Sequence, residues 1–143
     1  MSTPPPIANP SRAPRRGPRN IDPASLLAYS LPLPAKVSIL HRASGALMFL
    51  GLPVLLWVLD LSLRSDRSWE ELRSLASGTL PRLVLLALAW SLLHHTCAGI
   101  RFLLIDLEIG VSLPGARRGA WAVLAASLAL TLLLALWMFG VLP

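Results

Sequence analysis

Four residues in the first third of the chain have the types and spacing of a small ligand site. Ser38, His41, Arg42 and Gly45, in the segment KVSILHRASG, occur at i, i+3, i+4 and i+7, which places them on one helical face. A hydroxyl, an imidazole and a guanidinium that converge in this way could bind a carbonyl or carboxylate group at a membrane interface. The alternative is that His41 and Arg42 only anchor the helix end by reaching lipid headgroups.

A pair of histidines, His94 and His95, lies inside a long uncharged segment, where polar side chains are costly. Small residues that share a helix side with His95 would let another helix or a flat cofactor approach the backbone. A neutral imidazole beside such a gap can ligate haem iron, and a hydrogen bond to a neighbouring helix is the other interpretation. His94 points about 100° away, so we interpret it as a packing residue or as one that supports the ligand. The residues on the His95 side are Ser91, Ala98, Gly99, Phe102 and Asp106.

The composition identifies the solvent around these residues. The chain has 143 residues, of which 55% are apolar and 14% are charged, and its mean hydropathy is +0.64. Because a soluble domain carries about a quarter charged residues, a soluble globule is excluded, and the apolar content excludes a disordered chain. The single cysteine, Cys97, excludes an internal disulfide and a multi-cysteine metal site. The sequence has no glycine-rich phosphate loop, hydrolase triad or carboxylate pair placed for acid–base catalysis.

Three uncharged segments are long enough to cross a bilayer once their flanks are included, and helices are the form that such segments take. Pro34 suits the first turn of the first span, and Pro53 predicts a kink within that span. We therefore predict an all-α membrane protein with three transmembrane helices, at about 34–63, 81–106 and 121–142.

The remaining segments are predicted to lie outside the bilayer core. Residues 1–20, rich in Pro and Arg, are interpreted as a disordered tail, and residues 21–143 as a membrane anchor domain. Short interfacial helices are predicted near 23–29 and near 68–76. The second would begin with a capping box of Ser68 and Glu71, and its apolar face would carry Trp69, Leu72, Leu75 and Ala76.

The Lys and Arg residues predict the orientation. Eight lie before the first span or between the second and third spans, against four in the first connection, which favours a cytoplasmic N-terminus. Because most basic residues lie at or outside span ends, the net charge of +6 requires no nucleic acid. The N-terminal segment lacks the apolar region of a signal peptide, and its prolines disfavour a mitochondrial transit helix. We expect a multi-pass protein of a bacterial inner membrane, a mitochondrial inner membrane being less favoured.

Three segments together resemble a known family. SILHRASG (38–45), HTCAGIRFLLID (95–106) and GPRNID (17–22) are similar in order and spacing to the signatures of the cytochrome b subunit of succinate dehydrogenase, the larger membrane anchor. Two departures occur: Gly17 replaces an arginine of the family pattern, and Phe102 stands where the family has a histidine. The resemblance covers nearly everything from Gly17 onward.

The resemblance implies a subunit that acts only within its complex. The expected partners are a flavoprotein, an iron–sulfur protein and a second small membrane anchor. Ubiquinone would be the substrate, and a b-type haem would be shared with the second anchor. Ser38 and Arg42 would belong to the quinone pocket, His41 and Arg42 would lie near the haem propionates, and His95 would be one axial ligand. The further residues expected around the haem are His94, Arg101 and Asp106.

Three other functions compete with this one. A fumarate reductase anchor would run the reaction in the opposite direction, and a structural anchor without haem would only tether its partners. A small transporter or channel subunit, with His95 and Arg101 along a polar path, is the third. The absence of an inverted repeat or a pair of broken helices in the sequence disfavours it.

Overall fold

The computed structural model describes residues 30–141, which form four helices and no strand within that range. They are α1 (Leu33–Arg64), α2 (Asp66–Ala76), α3 (Thr79–Asp106) and α4 (Leu113–Met138). Helices α1, α3 and α4 are long and apolar enough to cross a membrane, which confirms the predicted all-α class with three spans. The tail predicted at 1–20 and the helix predicted near 23–29 lie outside the described residues.

Helix α1 is longer than a bilayer core requires. Its 32 residues correspond to about 48 Å, against a hydrocarbon thickness of about 30 Å. The extended backbone of Pro32 precedes the helix, and Pro34 lies in its first turn, where a missing N–H has no helical partner to lose. Pro53 lies inside the helix, as the sequence indicates, and the helix continues through it to Arg64.

Helix α2 is capped by a different residue from the one predicted. It begins at Asp66, and Ser65 rather than Ser68 is the N-cap. The Ser65 hydroxyl accepts from the backbone N–H of Ser68, and the Ser68 hydroxyl accepts from the backbone N–H of Ser65, both at 3.1 Å. Glu71 is instead held by Arg67, whose Nε donates to Oε1 at 2.9 Å. The predicted capping box was wrong because serine can serve at both of its positions.

Helix α4 begins eight residues before the predicted start of the third span. Ser112 caps it, accepting from the N–H of Gly115 at 3.3 Å, and Pro114 lies in the first turn. The prediction took Arg117 and Arg118 as a boundary, but exposed arginines limit the membrane-embedded part of a helix and not the helix itself. Before Ser112 the chain turns through Gly110, whose φ of +78° is one that glycine adopts without strain.

The three long helices pack most closely at one end of the bundle, where α1 begins, α3 ends and α4 begins. Helix α3 contacts both α1 and α4. The buried residues here are small or polar, which allows the helix backbones to approach closely without a large apolar core. Large apolar side chains lie mostly on the outside, as expected for a protein whose solvent is lipid. The fully or nearly buried residues are Val37, Ser44, Gly51, Ser91, His94, Ala98, Arg101, Ala120, Val123 and Ser127.

Candidate functional site

His95 of α3 lies against His41 of α1 at this closely packed end. The two imidazole rings are stacked, with centroids 4.1 Å apart and planes inclined by 18°. The Nδ1 of His95 lies 3.0 Å from the carbonyl oxygen of His41 and 3.4 Å from the hydroxyl oxygen of Ser44. Because a carbonyl oxygen only accepts, Nδ1 carries the proton and donates it. In the neutral ring with this tautomer, Nε2 carries the lone pair with which a histidine can ligate a metal.

Gly45 makes the contact between His41 and His95 possible. A Cβ on Gly45 would lie 2.9 Å from Cε1 of His95, closer than side chains pack. A Cβ on Gly99 would lie 3.8 Å from Nε2 of His41, an ordinary contact distance. Phe102 also contacts His41, with ring centroids 5.1 Å apart and planes inclined by 52°. Gly45 thus serves the contact between α1 and α3, and Phe102 supplies an apolar wall where the family pattern has a histidine.

The first prediction compares two glycines of α1. Gly45→Ala should destabilise the protein by about 1–3 kcal/mol, because the rigid His95 ring must move and its hydrogen bond to His41 must lengthen. Gly51→Ala is the matched control, since its Cβ would meet only the flexible tip of Leu88 at 2.6 Å, and alanine favours the helix. Thermal unfolding of the purified variants measures the difference. Equal Tm values for the two variants would contradict the packing described here.

Ser38 and Arg42 lie next to the contact between His41 and His95, on the side of α1 that faces outward. Ser38 is half-buried, and Arg42 is exposed. A step of about 100° per residue turns both away from the buried direction of Val37. Among the described residues no hydrogen bond joins Arg42 to His41 or His95. The structure therefore brings His41 and His95 together and leaves Ser38 and Arg42 on the adjoining open surface.

His94 is turned about 100° from His95 around the helix, and its side chain contacts α4. Its side chain is fully buried, its Nδ1 lies 3.3 Å from the hydroxyl of Ser127, and its ring stacks on Trp90 with centroids 5.4 Å apart. Nε2 is buried without a hydrogen-bond partner, although the backbone of Val37 lies close to the ring. A fully enclosed imidazole leaves no room for a flat cofactor, whereas His95 is only half-buried.

Arg101 joins α3 to the beginning of α4. Its side chain is 8% exposed, and its Nη2 donates to the carbonyl oxygen of Ala116 at 3.4 Å. A Cβ on Gly119 would lie 3.3 Å from its Nε, so the guanidinium lies directly against the backbone of α4. Asp106, the last residue of α3, is exposed and about 16 Å along the helix from His95. The structure thus places neither Arg101 nor Asp106 at the contact between His41 and His95.

Two residues that form polar contacts with the histidines of α3 were not predicted from the sequence. Ser44 contacts His95, and Ser127 contacts His94 from the third span, to which the sequence reasoning assigned no chemistry. Both are hydroxyls inside apolar segments. A search for every polar residue within the spans, including hydroxyls, would have found them.

The described residues contain no group of three or more His, Cys, Asp or Glu that could hold a metal ion. The site therefore offers one open imidazole at a helix contact, and a metal held there would need ligands from elsewhere. The fold defines a class: a small helical membrane protein with three spans.

Comparison with known proteins identifies the family. Residues 15–134 match the family described as the succinate dehydrogenase/fumarate reductase transmembrane subunit, and the chain belongs to this family. Three relatives carry the name succinate dehydrogenase cytochrome b556 subunit. The protein of Rickettsia prowazekii (strain Madrid E) is 34% identical over 109 residues, which cover 76% of this chain and 85% of the relative.

The other two relatives match over more of the chain. The protein of Paracoccus denitrificans is 30% identical over 118 residues, 82% of this chain and 90% of its own length. The protein of Coxiella burnetii (strain RSA 493 / Nine Mile phase I) is 32% identical over 124 residues, 85% of this chain and 96% of its own length. The resemblance seen in the three short motifs is confirmed, and the family match covers the first two spans and most of the third.

Proposed function

We propose that this chain is the haem- and quinone-binding membrane anchor of a succinate dehydrogenase complex. Family membership supports the anchor role within such an oxidoreductase, and the relatives are named as succinate dehydrogenase subunits. The observation that carries the finer proposal is the state of His95. Its Nδ1 is committed to the His41 carbonyl, so that its Nε2 is free for a ligand. Ser38 and Arg42 offer polar groups on the adjoining open face.

The residues present fit a haem that is shared between two subunits. His95 would supply one axial ligand, and the second anchor would supply the other, in agreement with the single open imidazole on this chain. The haem, when bound, stores and passes one electron at a time. The His41 carbonyl and Ser44 orient the ligand ring, and His41 and Arg42 would lie near the propionates. His94 and Arg101 hold α3 against α4 and so fix the rotation of the helix that carries His95, while Asp106 closes the motif at the helix end.

The quinone site would lie on the outward-facing side of α1 that carries Ser38 and Arg42. The Ser38 hydroxyl would donate a hydrogen bond to a ubiquinone carbonyl oxygen. The Arg42 guanidinium, one turn further along, would stabilise the negative charge that develops on the quinone oxygens during reduction. Both residues lie near the beginning of α1, at the bundle end that the basic residues assign to the cytoplasm. Electrons from a peripheral iron–sulfur subunit would arrive at that end.

The resemblance to the succinate dehydrogenase cytochrome b subunits implies the rest of the assembly. A flavoprotein would oxidise succinate, an iron–sulfur subunit would conduct electrons, and a second small anchor would complete the membrane domain. Residues 21–143 would form the anchor domain of this chain, with the tail of residues 1–20 in the cytoplasm. The bacterial relatives support a bacterial inner membrane as the location.

Three measurements on the complex, purified through a tag on this chain, test the proposal. We expect four subunits on a gel, a b-type haem signal in the reduced-minus-oxidised optical spectrum, and succinate-dependent reduction of ubiquinone in an activity assay. A four-subunit complex without the haem signal would support the structural anchor instead. A complex that reduces fumarate with a quinol faster than it oxidises succinate would support the fumarate reductase anchor, which the family description also includes.

A further inference from the structure

Ser44 of α1 lies where the backbone of His41 meets the ring of His95. Its side chain is buried, so its hydroxyl is shielded from solvent. The hydroxyl oxygen lies 2.9 Å from the carbonyl oxygen of His41 and 3.4 Å from Nδ1 of His95. Because Nδ1 carries the ring proton, it cannot accept a hydrogen bond, and the Ser44 hydroxyl donates to the carbonyl. Ser44 and His95 therefore donate to the same oxygen atom.

The carbonyl oxygen of His41 has more donors directed at it than it has lone pairs. A carbonyl oxygen carries two lone pairs. The Ser44 hydroxyl lies 2.9 Å from this oxygen, and Nδ1 of His95 lies 3.0 Å from it. The helix directs the backbone N–H of Gly45 at the same oxygen, because α1 is continuous here. Donors that share an acceptor draw on the same electron density, so the bond from His95 is weaker than it would be without Ser44.

The hydrogen bond at Nδ1 of His95 affects the electron density at Nε2 of the same ring. A stronger acceptor at Nδ1 makes Nε2 a stronger electron donor, which favours oxidised iron and lowers the reduction potential of a haem. The Ser44 oxygen also lies near Nδ1, but its distance of 3.4 Å is well beyond the usual length of about 2.9–3.0 Å. The competition for the His41 carbonyl is the larger of the two effects of Ser44 and decides the sign.

We infer that Ser44 is a positioning residue that raises the reduction potential of the haem by weakening the hydrogen bond from His95 to the His41 carbonyl. The inference rests on the proposed role of His95 as a haem ligand. It adds the residue that adjusts the hydrogen bond of that ligand. Ser44 acts through the carbonyl and the imidazole ring and needs no contact of its own with the haem.

Three variants in the complete purified complex test this role. Ser44→Ala removes the competing hydroxyl, whereas Ser44→Thr keeps a hydroxyl that can reach a carbonyl one turn back in a helix. Ser91→Ala is the matched control, since Ser91 is equally buried and its hydroxyl donates to the carbonyl oxygen of Ala87 at 2.9 Å. The measurement is the midpoint potential of the b-type haem, obtained from its optical signal at a series of poised potentials, together with the haem content per complex.

We expect Ser44→Ala to lower the equilibrium constant for haem reduction by about threefold, a fall in midpoint potential of about 28 mV for one electron. Ser44→Thr and Ser91→Ala should keep the wild-type potential, and all three variants should keep the wild-type haem content. An unchanged or raised potential in Ser44→Ala would overturn the inference, as would an equal fall in Ser91→Ala. Loss of haem from Ser44→Ala would also overturn it, because Ser44 would then hold the haem instead of adjusting its potential. A four-subunit wild-type complex without haem would overturn the proposed function, and this inference with it.

Discussion

His95→Ala is expected to remove the b-type haem signal from the purified complex, with a fall in haem content of at least about tenfold. The ring that would be lost is the half-buried imidazole whose Nδ1 donates to the His41 carbonyl, which leaves Nε2 as the ligand atom. Alanine offers no replacement ligand. The measurement is the reduced-minus-oxidised spectrum together with the haem content per complex.

The neighbouring histidine supplies the control. His94→Gln keeps a side chain that can hydrogen bond to Ser127, and it should retain haem while lowering stability through the lost stacking on Trp90. Size-exclusion chromatography must show all four subunits in both variants, so that loss of haem is not confused with loss of assembly. Loss of haem in His94→Gln and its retention in His95→Ala would reverse the assignment of the ligand.

The sequence was sufficient for features that depend on local spacing. The long uncharged segments gave the three spans, and the step of about 100° between His94 and His95 correctly separated the two side chains onto different helix neighbours. The same reasoning could not say which helix each histidine would meet. Those partners, Ser127 in α4 and Ser44 in α1, are far away in the sequence and depend on how the helices pack.

Gly45 illustrates the same limit from another side. Its spacing grouped it with Ser38 and Arg42 on one helical face. Gly45 is turned less far from the buried direction of Val37 than those two residues are, and it therefore lies against His95. A period alone cannot show where a packed face ends and an open face begins. Arg101 is similar, because an arginine inside a span suggested chemistry, whereas the structure shows it against the backbone of α4.

Ser38→Ala and Arg42→Ala are expected to lower succinate-dependent ubiquinone reduction while succinate oxidation by an artificial acceptor continues at the wild-type rate. Loss of a hydrogen bond to a charged group costs about 1.5–3 kcal/mol, so Arg42→Ala should lower quinone reduction by about 10- to 100-fold. Ser38→Ala loses a weaker, neutral hydrogen bond and should mainly raise the KM for ubiquinone. Initial rates at several quinone concentrations, with each acceptor in turn, measure both effects.

The chain provides matched controls at the opposite end of α1. Arg64 is an exposed arginine that pairs with Asp60, and Ser62 is a serine whose hydroxyl donates to the carbonyl oxygen of Leu59. Arg64→Ala and Ser62→Ala should leave quinone reduction unchanged, because neither residue lies near His41 and His95. If all four variants reduced ubiquinone at the wild-type rate, the side of α1 that carries Ser38 and Arg42 would not be the quinone site. If Arg42→Ala lost haem as well as quinone reduction, the guanidinium would act mainly at the haem propionates, and Ser38→Ala alone would then test the quinone contact.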